Sequence, residues 1–215
     1  SIQVQAFEQI GSTMYVGGNF TGVQKGKNGQ EITSRGLAAF DAVTGDWTGQ
    51  TFDFNNQVKD LVELPSGKLH AVGDFTKVNG ETHVGTVLID PSTGQIDPSW
   101  TLQIRNGNAS VVTVKSAKVT GEHIYLAGAF THLSGNGSSS VYGRNAARMD
   151  LSGTPDRSWN PEFNGAVLDI DVDENDVYFY AAGHFTRAHD RLAENAVRLE
   201  TPAGATLDQS WSFRH

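Results

Sequence analysis

Gly18-Asn19-Phe20-Thr21, Gly73-Asp74-Phe75-Thr76, Gly128-Ala129-Phe130-Thr131 and Gly183-His184-Phe185-Thr186 are one tetrapeptide pattern, Gly-x-Phe-Thr, written four times. The phenylalanines fall at 20, 75, 130 and 185, a step of 55 residues each time. Self-similarity at a fixed period of this size marks a repeat architecture and governs the reading of everything around it.

The alignment continues on both sides of the phenylalanine. Six residues before it stand Met14, Leu69, Ile124 and Phe179; five before stand Tyr15, His70, Tyr125 and Tyr180. After it comes a strand-like segment that ends in an acid, at Asp41, Asp90, Asp150 and Glu200. A turn with Gly45, Gly94, Gly153 or Gly204 follows. Three repeats then carry Asp-x-x-Trp, at Asp97 to Trp100, Asp156 to Trp159 and Asp208 to Trp211; the first lacks it and has an early Trp47. From phenylalanine to acid the distances are 21, 15, 20 and 15 residues. Repeats one and three thus hold insertions, QKGKNGQEITS and SGNGSSSVYG, whose polar, Gly- and Ser-rich composition reads as exposed loop.

Each repeat reads as four short strands joined by turn chemistry such as LPSGK and DPSTG. RAHDRLAENAVRLE has helical propensity, but its last residues align with a strand in the other repeats. The expected fold is all-β. A period of this length with four strands per unit favours a β-propeller of four-stranded antiparallel blades, as a complete small ring or part of a larger one. Residues 1–215 read as a single propeller domain or segment, with repeats near 1–55, 56–109, 110–164 and 165–215. The repeated Gly is expected to allow close backbone approach. The repeated Phe is expected to fill the gap between blades.

Gly-x-Phe-Thr, an apolar strand ending in Asp, a Gly turn and Asp-x-x-Trp together resemble the delta-60 β-propeller repeat; AVGDFTKVNG and TVLIDPSTGQIDPSW carry the likeness most closely. The resemblance spans nearly the whole chain. It implies a bacterial secreted or cell-surface protein, and it brings no catalytic residue set.

The chain has 215 residues, no Cys and a formal net charge of −8. That charge argues against nucleic-acid and anionic-membrane binding, which need a positive field. Zero Cys removes disulfides, thiolate metal sites and a cysteine nucleophile. No apolar run is long enough for a transmembrane helix, so no membrane insertion is expected.

Positions that are equivalent in the repeats yet differ in chemistry are the candidates for binding. Beside the phenylalanine these are Asp74 and His184; two residues after it they are Lys77, His132 and Arg187. In a propeller, equivalent loop positions share one face, so the five would form a mixed polar rim suited to a glycan or an acidic peptide. Asp171, Asp173 and Asn175 have the alternate spacing that opens a Ca²⁺ loop, but its Gly and terminal Glu are missing. Neither a cofactor nor a metal is therefore expected. No nucleophile elbow, phosphate loop or metalloprotease motif occurs.

The leading expectation is a non-enzymatic extracellular or cell-surface module, a rigid platform for protein or carbohydrate recognition in adhesion. Two alternatives stand beside it. One is a polysaccharide hydrolase or lyase using carboxylate and His groups at a central channel. The other is a purely structural part of a larger assembly. Partners are then a protein or glycan ligand, further propeller blades, or a second copy of the chain.

Overall fold

The computed structural model describes residues 1–201 and 206–207. Among them there is no helix, and every pairing between strands is antiparallel. Two compact units result, Ser1–Pro98 and Ser99–His215. Each contains two sheets made of the core strands of one repeat apiece, with smaller sheets from the hairpins beside them.

In the first unit, sheet one consists of Gln3–Ile10, Thr13–Asn19 and Leu37–Asp41, and an isolated bridge from Phe40 to Trp47 extends it. Sheet two consists of Val58–Glu63, Leu69–Gly73, Thr86–Asp90 and Gln95–Ile96. In the second unit, sheet three consists of Thr113–Val119, His123–Ala129 and Ala146–Asp150, with a bridge from Met149 to Pro155. Sheet four consists of Val167–Val172, Tyr178–Gly183, Ala196–Glu200 and Thr206–Leu207. The stretch with helical propensity therefore ends in a strand, as its alignment requires: pairing with Tyr178–Gly183 overrides local preference.

The repeated glycines have a steric reason. In every sheet the first strand bulges, between Val4 and Ala6, Val58 and Asp60, Val114 and Ser116, and Val167 and Asp169. Opposite each bulge stands the Gly of the tetrapeptide, at 18, 73, 128 and 183. A Cβ on any of them would overlap a backbone carbonyl oxygen, that of Gln3, Gln57, Thr113 or Ala166. Only a residue without a side chain lets the bulged strand pass this close.

Packing of sheet on sheet makes the cores. Tyr15, Leu37 and Ala39 of sheet one cover Val58, Leu61, Leu69, Ala71 and Ile89 of sheet two. Tyr125, Ala127 and Ala146 of sheet three cover Val167, Ile170, Phe179 and Leu199 of sheet four in the same way. Phe75 and Phe185 are fully buried; Phe54 meets Phe75 edge-on at 4.9 Å, and Phe163 lies 4.5 Å from Phe185. Phe130 is fully buried too. Phe20 departs from the expected blade filler, because it is only half-buried and borders an open groove.

The insertions in repeats one and three are not loops. They form hairpins, Gly22–Gln24 with Glu31–Thr33 and His132–Gly135 with Ser138–Tyr142, and Gln103–Arg105 adds a third strand to the second. Repeats two and four have the same feature in two-residue form, Lys77–Val78 with Glu81–Thr82 and Arg187–Ala188 with Arg191–Leu192. Where the hairpin is long, the fourth strand is a single bridge. The period survives because the stretch from the strand-ending acid to the next repeat's opening Val is 24 residues after the short hairpin of repeat two and 17 after each long one. Asp41, Asp90 and Asp150 end their strands by accepting backbone N–H groups of the following turn. Trp100 and Trp159 of the Asp-x-x-Trp elements are buried. Gly204 and the element from Asp208 to Trp211 lie outside the described residues.

Candidate recognition site

The five candidate residues occupy equivalent places, and no hydrogen bond or ion pair joins any two of them. Asp74 is committed inward: Gln57 Nε2 donates to its Oδ2 at 2.8 Å, and Lys59 Nζ lies 3.7 Å from the same oxygen. Lys77 is exposed at the start of its hairpin, and its backbone N–H is held by Asn55. Arg187 repeats that arrangement with Asn164, and its Nη1 donates to the Asp190 carbonyl at 2.8 Å. In each case the Asn side chain also takes the Thr N–H and donates to the Thr hydroxyl, at Thr76 and Thr186. The Thr of the tetrapeptide thus belongs to a clamp that fixes the hairpin base. His184 is exposed.

His132 is the one of the five that lines either of the two cavities described below. A cleft of about 390 Å³ in the second unit is bordered by Gly107, Asn108, Thr131, His132, Tyr142 and Arg144. The long hairpin of repeat three builds it. His132 pairs directly across the hairpin with Tyr142, and their rings lie 5.4 Å apart. Thr131 Oγ1 contacts His132 Nδ1 at 2.7 Å and accepts the Gly107 N–H at 2.7 Å, which ties the hairpin to the preceding loop. Arg144 follows the hairpin, with its backbone N–H held by Asn160 Oδ1. Burial, helped by the Arg105 charge, pushes the His132 imidazole below its ordinary pKa. Both effects favour the neutral form of the ring. Tyr142 is 42% exposed, so one end of an aromatic pair faces solvent beside a guanidinium and an amide.

A larger groove, about 780 Å³, runs along sheet one of the first unit. Its walls include Val4, Val16, Phe20, Val23, Phe40 and Trp47, so it is mainly apolar. The hairpin of repeat one contributes Val23 and Ile32. Both cavities thus form where the sequence carries an insertion.

Among the described residues, Glu122, His123 and Asp176 bring three potential metal-ligand atoms, two carboxylate and one imidazole, within 4.8 Å of one another. Asp176 is already engaged on both oxygens. Tyr125 donates its hydroxyl to Oδ1 at 2.5 Å, and His123 Nδ1 contacts Oδ2. The group reads as a hydrogen-bonded tie between sheets three and four. The calcium-like stretch is a hairpin turn as well, in which Asp173 accepts the N–H groups of Asn175, Val177 and Tyr178. Those bonds lower the pKa of Asp173, and hydrogen bonds from Ser92 and Lys68 lower that of Asp90 to about 2. Glu8 is shifted the other way, chiefly by burial, but it lines neither cavity.

Compared with known proteins, the chain matches no family model and no curated protein sequence.

Proposed function

We propose that this chain is a non-enzymatic β-propeller module of an extracellular or cell-surface protein, and that it recognises a carbohydrate at the His132–Tyr142 cleft. The observation that carries this reading is the inserted hairpin of repeat three, which holds an exposed Tyr ring beside His132, Arg144 and Asn108. A sugar presents an apolar face and a rim of hydroxyls. A half-exposed aromatic ring suits the first, and amide, guanidinium and imidazole groups suit the second. The cleft volume falls within the roughly 300–1,000 Å³ usual for small-ligand sites. The propeller arrangement is supported by two instances of the same packing, sheet one on two and sheet three on four. A surface location rests on the delta-60 resemblance.

A hydrolase would call for a carboxylic acid with raised pKa facing a second carboxylate in a cleft. Neither cavity is lined by such a pair. The test is calorimetric titration with soluble oligosaccharides of glucose, mannose, galactose and N-acetylglucosamine. At least one should bind, and Tyr142→Ala should weaken it roughly tenfold or more, the size of a lost aromatic contact plus its buried area. Lys77→Ala and Arg187→Ala should leave it unchanged. Binding that ignores Tyr142→Ala and His132→Ala, or no binding across the panel, would overturn the reading.

A further inference from the structure

The His132–Tyr142 cleft is bordered by a three-stranded sheet, in which His132–Gly135 pairs with Gln103–Arg105 on one side and with Ser138–Tyr142 on the other. Residues paired directly across such a ladder share a face, and the next set along the strands points the opposite way. Ile104, Leu133 and Val141 make up one set, and all three are buried. The adjoining set is Arg105, His132 and Tyr142, which therefore stand in a row on the outward face. A guanidinium, an imidazole and a phenol ring follow one another there. Among the described residues the hairpin sheets of the other repeats have two strands, and Gly22 with Thr33, Lys77 with Thr82 and Arg187 with Leu192 stand where His132 and Tyr142 do. The row belongs to repeat three.

Charge is distributed unevenly around that row. Arg105 is exposed, and its charge acts on the His132 ring. At the other end Arg144 borders the cleft, and its guanidinium acts on the Tyr142 hydroxyl. Arg144 Nη2 also donates to the Asn164 carbonyl at 3.5 Å. Among the described residues neither guanidinium is in an ion pair. The acid that acts on Tyr142 is Glu162, whose Oε2 lies 3.8 Å from His189 Nδ1. The charged groups that act on His132 and Tyr142 are thus two guanidiniums and one carboxylate, a positive excess in a chain of formal net charge −8.

We infer that the saccharide taken at this cleft is an acidic one, a uronate or another sugar bearing a carboxylate, and that Arg105 and Arg144 are the residues that select it. The inference rests on the carbohydrate reading of the cleft given above. A sugar ring seated on Tyr142 carries its substituents at its rim. That rim meets Arg144 on one side and His132 with Arg105 on the other. A carboxylate there accepts a charge-assisted hydrogen bond from a guanidinium, roughly twice as strong as a neutral one, and the planar fork suits it. The hydroxyls of a neutral sugar meet the same two cations without that gain. Neutral sugars therefore bind through the ring and the amide, and acidic sugars bind more tightly.

Calorimetric titration of the full chain at low salt tests this, with oligosaccharides of glucuronate and galacturonate set beside those of glucose and galactose. The acidic member of a pair should bind roughly tenfold more tightly than its neutral counterpart, and the advantage should shrink as salt is raised. The double variant Arg105→Gln/Arg144→Gln should cut the advantage to about threefold or less and leave the neutral affinity nearly unchanged, which also shows that the cleft is still folded. Arg105→Lys/Arg144→Lys should keep part of it, and Lys77→Ala all of it. Neutral and acidic sugars that bind equally well, both weakened by Tyr142→Ala, would overturn the inference and leave the carbohydrate reading standing. An acidic advantage that survives the double Gln variant, or that Lys77→Ala removes as completely, would overturn it too. Binding of either class that ignores Tyr142→Ala would overturn both.

Discussion

A single missing Cβ decides how each repeat begins. At Gly73 a methyl group would overlap the Gln57 carbonyl, so Gly73→Ala must either lose the bulge or separate two strands. A cost of about 1–3 kcal/mol is expected, as for other overpacked sites, and urea unfolding would measure it. The repeated phenylalanines should divide by environment. Phe75→Ala should cost about 3–5 kcal/mol, as for a full core truncation, and Phe20→Ala distinctly less, because Phe20 is only half-buried. His70 offers a test by pH. Complete burial pushes its imidazole down to about 3 from an ordinary 6.5. The unfolded chain then takes up a proton that the native state refuses. Stability should fall as pH drops from about 6.5 toward about 3 and should lose that dependence in His70→Tyr, the residue of the other three repeats. Thermal melts at stepped pH would show it. Tyr15 shows the same position under a different constraint: its hydroxyl is buried without a partner, whereas Tyr125 reaches Asp176 on the next sheet.

At the scale of the element, the hairpin inside each repeat separates scaffold from site. In repeats two and four its base is fixed by the Asn clamp on the tetrapeptide Thr, and Asn164→Ala should loosen the hairpin of repeat four without reaching the cleft of repeat three. Loss of its hydrogen bonds should cost about 1–2 kcal/mol, measurable by chemical unfolding. How much of this could be read beforehand depended on spacing. The tetrapeptide keeps one period, so the glycines and phenylalanines were legible. The four valines opposite the glycines stand at 4, 58, 114 and 167, at unequal intervals, because the segment between the core strands varies in length. A fixed-period alignment passes over them. The insertions looked like solvent loops from their Gly and Ser content. The overlooked signal was Val141-Tyr142, a β-branched and an aromatic residue ending a polar run, which pair back onto Leu133 and His132. Tyr142 and Arg144 were missed for that reason, and His132 was found only because it shares a repeat position with Lys77 and Arg187. Asp74 misled in the opposite direction: a variable charged position proved to be tied up by Gln57 and Lys59.

At the scale of the whole molecule, a repeat protein is stabilised by each unit burying its face on the next. The expectation of four similar sheets holds, while the unequal exposure of equivalent residues was beyond any reading of composition or motif. Val4 and Val58 are the same residue type at the same register, and only what lies against each sheet tells them apart. Recognition is therefore proposed to lie in the inserted hairpin of repeat three, outside the framework that the four repeats share. Calorimetric titration of the full chain with the oligosaccharide panel, wild type beside Tyr142→Ala, tests this most directly. At least one sugar should bind, and roughly tenfold or more weaker in Tyr142→Ala. No binding across the panel, or binding that ignores Tyr142→Ala, would contradict it.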